Sequence, residues 1–173
     1  METIAVYWEP VIKTYGLEGA TNLTLVCIHF KSERMTEWGF WIWKLGSSMD
    51  GFHLVLLEHS DPNIFHLYLL VDSNGAEKIL SPLDEHIRTD TGEYFDQIYP
   101  VDLIYFQGPH FGDRYGIADS AFKALEANSI PVFIGACSGA SVYLVLPGKK
   151  RREAIPLLAR AFHDPRADSS KTS

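Results

Sequence analysis

Two stretches, LTLVCIHF at residues 23–30 and VDLIYFQG at residues 101–108, align as copies of one short apolar segment. Both are rich in the β-branched and aromatic residues that are enriched in strands. The same alignment places FHLVLL at residues 52–57 over IPVFIG at residues 130–135. Because self-similarity of this kind is typical of a repeated structural unit, the chain is predicted to contain two copies of one unit.

A third apolar segment follows in each copy, IFHLYLLV at residues 64–71 and SVYLVL at residues 141–146. Between the second and third segments the alignment shifts by two residues, at a stretch rich in turn-forming residues. A hairpin loop is the place where such an insertion costs the least free energy. The shift is therefore compatible with a duplication.

Amphipathic stretches separate the first segment from the second in both copies. Residues 35–48 and residues 116–128 are predicted to be helices with one apolar face, and a last helix closes the second copy. In the first copy Ser81-Pro82 is typical of a helix N-terminus, so that helix is predicted to begin later than Glu77. The apolar faces consist of Trp38, Trp41, Ile42 and Leu45 in the first helix, Ile117, Ala121, Phe122 and Leu125 in the second, and Ile155, Leu158, Ala159 and Phe162 in the last.

This order of elements predicts an α+β protein with two ferredoxin-like βαββαβ units in tandem, each an antiparallel sheet with helices on one face. The terminal strand of each unit is less clear from the sequence, and the second copy is compatible with a strand that begins as early as Tyr94. The predicted boundaries are an N-terminal strand and lead-in at 1–20, a first unit at 21–88, a linker at 89–99, a second unit at 100–163 and a disordered tail at 164–173.

The composition disfavours several classes of function. The chain has 173 residues and a net charge of −7, which argues against a nucleic-acid or anionic-membrane partner. No run approaches the roughly 20 apolar residues of a membrane span, and no signal peptide is visible, so a cytoplasmic location is expected. Cys27, Cys137 and the seven histidines lack metal-ligand spacing. We therefore predict no metal and no cofactor.

The second copy contains the segments Gly108-Pro109, Gly116 to Ala118, Phe122 to Val132, Ser138 to Pro147 and Ala161-Phe162. With these segments it resembles an ACT domain, specifically the C-terminal ACT domain of aspartate kinases. The first copy departs from the pattern, because residues 34–38 (RMTEW) stand where many ACT domains have Asp-x-Pro-Gly. The kinase catalytic domain has no counterpart in this sequence. The resemblance implies a free-standing regulatory module of two ACT units.

The loop before the helix of the second copy is the predicted ligand site. Unpaired backbone N–H groups at a helix N-terminus favour a carboxylate, and glycines let the backbone approach a ligand closely. Asp113 could accept a ligand ammonium, and Arg114 could pair with a second acid group. The resemblance implies that the second strand of a neighbouring unit, residues 52–56 or 131–133, forms the other wall. The predicted ligand-binding residues are His110, Phe111, Gly112, Asp113, Arg114, Tyr115, Gly116, Ile117, Ala118, Pro131, Val132 and Ser138.

Simpler interpretations stand beside these sites. The two loop glycines could serve only a tight turn, and Asp113 could only cap the helix. Trp38, Trp41 and Trp43 could form an aromatic ligand cage, but core or subunit interface is the favoured interpretation. The basic run KKRR at residues 149–152 favours a solvated turn over a phosphate site.

The leading hypothesis is a non-catalytic regulatory protein that binds an amino acid between ACT units, within a homodimer. A second hypothesis is a regulatory subunit of a separately encoded amino-acid-biosynthetic enzyme, such as an aspartate kinase. A third is an RNA-binding module, which the charge and the opposite-facing neighbours Tyr105 and Phe106 disfavour. A fourth is a small enzyme, which is disfavoured because no acid/base or metal constellation is evident, so no catalytic residue is predicted.

Overall fold

The structure is a computed structural model that describes residues 12–109 and 111–162, apart from the side chains of Ser60 and Asp113. Six strands and four helices follow one another in this part of the chain. They are β1 (Gly16–Lys31), α1 (Met35–Gly46), β2 (Leu54–Asp61), β3 (Ile64–Asp72), α2 (Glu77–His86), β4 (Tyr94–Gln107), α3 (Ile117–Glu126), β5 (Ile134–Ser138), β6 (Ser141–Pro147) and α4 (Arg151–Ala161).

The described residues form two compact units. The continuous unit is residues 22–100, and its strand order is β2-β3-β1-β4. The split unit combines residues 12–21 with residues 101–162, and its strand order is β1-β4-β6-β5. The long strands β1 and β4 each pass from one unit into the other. The predicted α+β class, with two ferredoxin-like units, is confirmed.

The predicted boundaries between the units need correction. Residues 89–99 are not a linker, because Tyr94 to Gln107 form one strand that contributes to both units. The segment before residue 22, predicted as a lead-in, supplies the fourth strand of the split unit, where the Tyr15 N–H donates to the Gln107 carbonyl oxygen at 2.9 Å. The predictions for residues 1–11 and 164–173 lie outside the described residues.

Helices α1 and α2 cover one face of the continuous unit's sheet. Successive strand residues point to opposite faces, so every second side chain of β1 and β3 reaches this core. Burying a large apolar side chain contributes about 1.5–3 kcal/mol, which makes such a cluster the main stabilising feature of the unit. Its buried members are Val26, Ile28, Phe30, Trp38, Trp41, Leu45, Leu67, Leu69, Val71, Ala76, Ile79 and Leu83.

Helices α3 and α4 cover the sheet of the split unit in the same way. Ile12 and Leu17 pack against this core, which agrees with the assignment of the N-terminal segment to this unit. Its buried members are Ile104, Phe106, Phe111, Ile117, Ala121, Leu125, Ile130, Val142, Leu144, Leu146, Ala154, Leu158 and Phe162.

Two helix predictions are wrong in detail. Helix α2 begins at Glu77, and Pro82 lies inside it instead of at its start. Burial of Ile79 and Leu83 in the core accounts for a helix that continues through this proline. At α4 the buried stripe contains the predicted Leu158 and Phe162 together with Ala154, which the sequence pattern does not predict. Of the predicted apolar residues, Ile155 and Ala159 are half-buried, and Phe122 of α3 is exposed.

Across residues 12–109 and 111–162, no helix is both long enough and apolar enough to cross a membrane.

Candidate functional site

The loop between β4 and α3 is shaped by two glycines. A Cβ atom on Gly108 would collide with the Lys13 carbonyl oxygen and with the Phe111 ring, so only glycine fits the start of the loop. Gly116 ends the loop in the left-handed conformation, with φ of +84°, and is the N-cap of α3. Glycine adopts this conformation without the penalty that a Cβ atom brings. The loop therefore reaches the helix start with an unobstructed backbone.

The start of α3 offers backbone donors. Its N-cap has no side-chain hydrogen bond, and the first intrahelical bond joins the Ser120 N–H to the Gly116 carbonyl oxygen at 2.9 Å. The N–H groups of the preceding turn have no partner within the helix. Asp119, the acidic residue of that turn, pairs with Lys123 at 2.8 Å. Such a helix end can accept a carboxylate from outside.

The predicted loop residues fall into two groups in the structure. Phe111 and Ile117 are buried in the core, where the Phe111 ring lies 6.0 Å from that of Phe106, so their side chains cannot line a ligand site. Tyr115 is 99% exposed. Gly112 is also exposed, and Arg114 and Ala118 are half-buried. The predictions for His110 and for the Asp113 side chain lie outside the described part of the chain.

The remaining predicted residues lie at opposite ends of the split unit. Pro131 and Val132 line a groove of about 490 Å³ together with Phe122 and Glu126, beside the C-terminal half of α3. Ten helical residues span about 15 Å, so this groove is remote from the loop. Ser138 is instead at the loop end of the sheet, because it and Gln107 both pair with Ser141. Within the split unit, the loop and residues 131–133 are therefore not brought together.

The equivalent loop of the continuous unit is occupied by its own side chains. Arg34 is the N-cap of α1 and is 8% exposed. Its Nε donates to Glu37 Oε2 at 2.9 Å, and its Nη2 donates to Glu37 Oε1 at 2.7 Å and to the His86 carbonyl oxygen at 3.2 Å. Its Nη1 forms a buried ion pair with Glu93. The guanidinium also lies over the Trp38 ring, 5.6 Å from its centroid.

The electrostatics of this Arg34 cluster follow from these contacts. The hydrogen bonds from Arg34 lower the pKa of Glu37 to about 2. Burial, and then the charge of Arg34, lower the pKa of His86. Glu93 Oε2 also accepts the Arg88 N–H at 3.1 Å, while Glu93 Oε1 and Trp38 Nε1 are buried without a partner among the described residues. The carboxylates of Glu37 and Glu93 therefore already pair with the Arg34 cation in this loop.

The tryptophans are divided between core and surface. Trp38 and Trp41 are buried, so the core interpretation is confirmed for these two. Trp43 is 67% exposed and its ring lies 5.6 Å from that of Phe40, which is also exposed. The pair gives α1 an apolar outer surface.

Two other sequence predictions can be compared with the structure. The basic run covers the turn before α4 and the first residues of that helix, where the Arg151 N–H donates to the buried Asp102 carboxylate at 3.0 Å and Lys150 pairs with Glu153 at 2.7 Å. It is therefore only in part the solvated turn that the sequence predicts. Tyr105 is exposed while Phe106 is buried, so they do face opposite sides of the sheet.

Metal-ligating residues are dispersed in the described part of the chain, and Cys27 is half-buried. It contains no cluster of three or more His, Cys, Asp or Glu residues able to hold a metal ion. Burial raises the pKa of Cys27 to about 11, which disfavours the thiolate form.

Comparison with known proteins gives a likeness in structure only. No protein-family model matches the sequence, and no curated protein matches it significantly. The structure is similar to the regulatory subunit of aspartate kinase from Thermus thermophilus, with a TM-score of 0.71 and 11% identity over 86% of this chain and 98% of that one. The regulatory subunit of aspartate kinase from Thermus flavus gives a TM-score of 0.73 and 10% identity, and this match also covers 86% of this chain and 98% of that one.

A whole aspartate kinase, from Synechocystis, gives a TM-score of 0.72 and 16% identity, and the match covers 90% of this chain and 28% of that enzyme. At such identities the likeness shows the fold. The resemblance to the regulatory region of aspartate kinases is confirmed at that level.

Proposed function

We propose that this chain is a non-catalytic regulatory protein that binds an amino acid at the loop before α3 of the split unit. The observation that carries the proposal is the N-cap Gly116, which is left-handed, without a side-chain cap and next to an exposed loop. The ligand carboxylate would accept hydrogen bonds from the first turn of α3. Asp113 is proposed to receive the ligand ammonium, and Arg114 a second acid group.

The second wall of the site is proposed to come from another unit, because Pro131 and Val132 lie at the far end of their own unit. A homodimer would supply it. The sheet order leaves the outer edge of β2 without a partner strand in the described residues. Val55 and Leu57 on that edge are 44% exposed, and α1 of the same unit exposes Phe40 and Trp43. Apolar edges of this kind are covered by pairing in many proteins.

A second candidate function is regulation of a separately encoded amino-acid-biosynthetic enzyme, such as an aspartate kinase. The supporting observation is that this chain covers 98% of each Thermus regulatory subunit. Co-purification from the native cells tests it, because capture of an aspartate kinase supports this role and its absence from the captured proteins argues against it.

Thermal unfolding with each of the twenty proteinogenic amino acids tests ligand binding. An effector present at a hundred times its dissociation constant should add about 2.7 kcal/mol to the free energy of unfolding. Gly116→Ala should weaken that shift. Gly51→Ala is the matched control, because Gly51 also has positive φ and open space around it but lies in the continuous unit. The proposal fails if no amino acid moves the midpoint.

Light scattering on the purified chain tests the homodimer. Leu57→Lys on the edge of β2 should shift the mass from dimer to monomer, since it places a charge in the apolar contact. Thr89→Lys adds the same charge at an exposed position before β4, at the opposite edge of this unit's sheet from β2, and is the control for added surface charge. A wild-type chain that is monomeric at high concentration would contradict the dimer.

A further inference from the structure

Three aromatic rings lie together on the sheet face that is opposite the helices of the continuous unit, here called the reverse face. His29 of β1 and His66 of β3 are direct partners in the antiparallel register, and their ring centroids are 4.4 Å apart at 73°. Tyr94, at the start of β4, stacks on His29 at 4.2 Å and 15°. The neighbours Phe30 and Leu67 point into the core, which places the histidines on the reverse face.

These rings line a pocket of about 320 Å³. Phe30, Lys31, Ile64, Thr91 and Gly92 complete its lining. The volume lies at the lower end of the range typical of small-ligand sites, about 300–1,000 Å³. This pocket belongs to the continuous unit and is separate from the proposed effector loop.

The charges around the pocket favour an anion. Among the described residues, one lysine and two histidines line it and no acidic residue does. Acids on the neighbouring strands lie outside the lining. Glu58 is opposite His66 in the β2–β3 register, but its Oε2 accepts the Tyr68 hydroxyl at 3.0 Å. Asp96 acts on His29 from β4.

We propose that the reverse-face pocket binds a small organic acid with one carboxylate and a compact apolar body. The body would lie between Ile64 and the Tyr94 ring. The carboxylate would accept hydrogen bonds from the imidazoles of His29 and His66 and from the Lys31 ammonium. This site does not depend on the function proposed above, because it uses a different unit and different residues.

We expect the protein to take up a proton when a carboxylate ligand binds in the reverse-face pocket. Burial, and then the neighbouring His66, lower the pKa of His29, while Asp96 opposes that effect. The free protein therefore holds this imidazole neutral near pH 7. A bound carboxylate stabilises the protonated form, so affinity increases as the pH falls until the ligand itself is protonated. Lys31, which lines the pocket, and Glu58, which is opposite His66 in the register, are the other charged groups beside the two histidines.

Calorimetric titration of the whole chain with benzoate tests the proposal, with benzamide as the uncharged counterpart and inorganic phosphate as an anion without an apolar body. Benzoate should bind about tenfold more tightly near pH 6 than near pH 8. His29→Asn and His66→Asn should each weaken binding about tenfold, and Lys31→Gln several-fold. His53→Asn is the matched control and should change nothing, since His53 pairs with Asp72 outside the pocket.

Nuclear magnetic resonance of the wild-type chain keeps the test independent of variant folding. Benzoate should move the ring signals of His29 and His66 and leave those of His53 in place. The proposal is overturned if benzamide binds as tightly as benzoate, if phosphate binds and benzoate does not, or if the His29 and His66 signals stay fixed in about 10 mM benzoate.

Discussion

The loops before α1 and before α3 occupy the same place in the two copies of the repeat, yet their helix starts differ in charge and access. Before α1, the N-cap is Arg34, a buried cation held by Glu93 and Glu37. Before α3, the N-cap is Gly116, and no described side chain caps it. The duplication has kept the backbone frame while the chemistry at the helix start has diverged. Neither N-cap makes a side-chain cap hydrogen bond, but a buried cation paired with the chain's own carboxylates lies at the start of α1, whereas a glycine beside an exposed loop lies at the start of α3.

The largest loss in the free energy of unfolding is expected from variants of the Arg34 cluster. Arg34→Met leaves Glu93 buried without its cation, and breaking one side of a buried pair costs about 3–5 kcal/mol. Urea unfolding measures this loss. The double variant Arg34→Met/Glu93→Leu should recover much of it, because no buried charge then remains. Lys123→Met removes an exposed ion pair and should barely move the midpoint. A single variant as stable as wild type would show that the pair does not hold this loop.

A smaller loss in the free energy of unfolding is expected from variants of the loop before α3. Gly108→Ala forces a Cβ atom against the Lys13 carbonyl oxygen and the Phe111 ring, and overpacking of this kind costs about 1–3 kcal/mol. Gly112→Ala is the matched control, because nothing lies near its Cβ position. Urea unfolding of the two variants compares them directly. Equal losses of stability in the two variants would mean that close packing around Gly108 does not require glycine there.

The smallest effect is a dependence of stability on pH that arises at His86. Its pKa is lowered in the folded chain by burial and by Arg34, so the unfolded chain binds a proton more readily. The contribution is fully present above the ordinary histidine pKa of about 6.5 and is lost as the pH falls towards the folded value. Unfolding midpoints between about pH 8 and pH 5 should therefore decrease more for the wild type than for His86→Gln. Parallel curves would contradict this assignment.

The sequence was sufficient to predict most of the fold. Repeated apolar segments identified the strands that pair locally, and helical spacing located α1 and α3. The fourth strand of the split unit escaped prediction because it precedes the other copy in the chain, and pairing between distant segments leaves no local pattern. Residues 94–99 (YFDQIY) show no regular alternation of apolar and polar side chains, so the sequence favours a linker there, although a strand from Tyr94 is compatible with it.

The candidate site was less predictable. Gly116 is predictable because it directly precedes an amphipathic stretch. The need for glycine at a helix end depends on the local backbone conformation, which neighbouring residues indicate. Glu93, the buried partner of Arg34, is 59 residues away in the chain, and no residue near Arg34 indicates this pairing. Phe111 was assigned to the ligand because it lies in the loop, but its ring fills the core beside Phe162. Burial of one loop residue depends on tertiary packing that the sequence does not display.

The central claim is that only one of the two loops binds an effector, and calorimetric stoichiometry with the amino acid identified by thermal unfolding tests it most directly. The account expects one ligand per chain, with binding weakened by Gly116→Ala and retained in Arg34→Met/Glu93→Leu. Two equivalent ligands per chain, or binding that is lost with the Arg34 cluster and unaffected at Gly116, would contradict it.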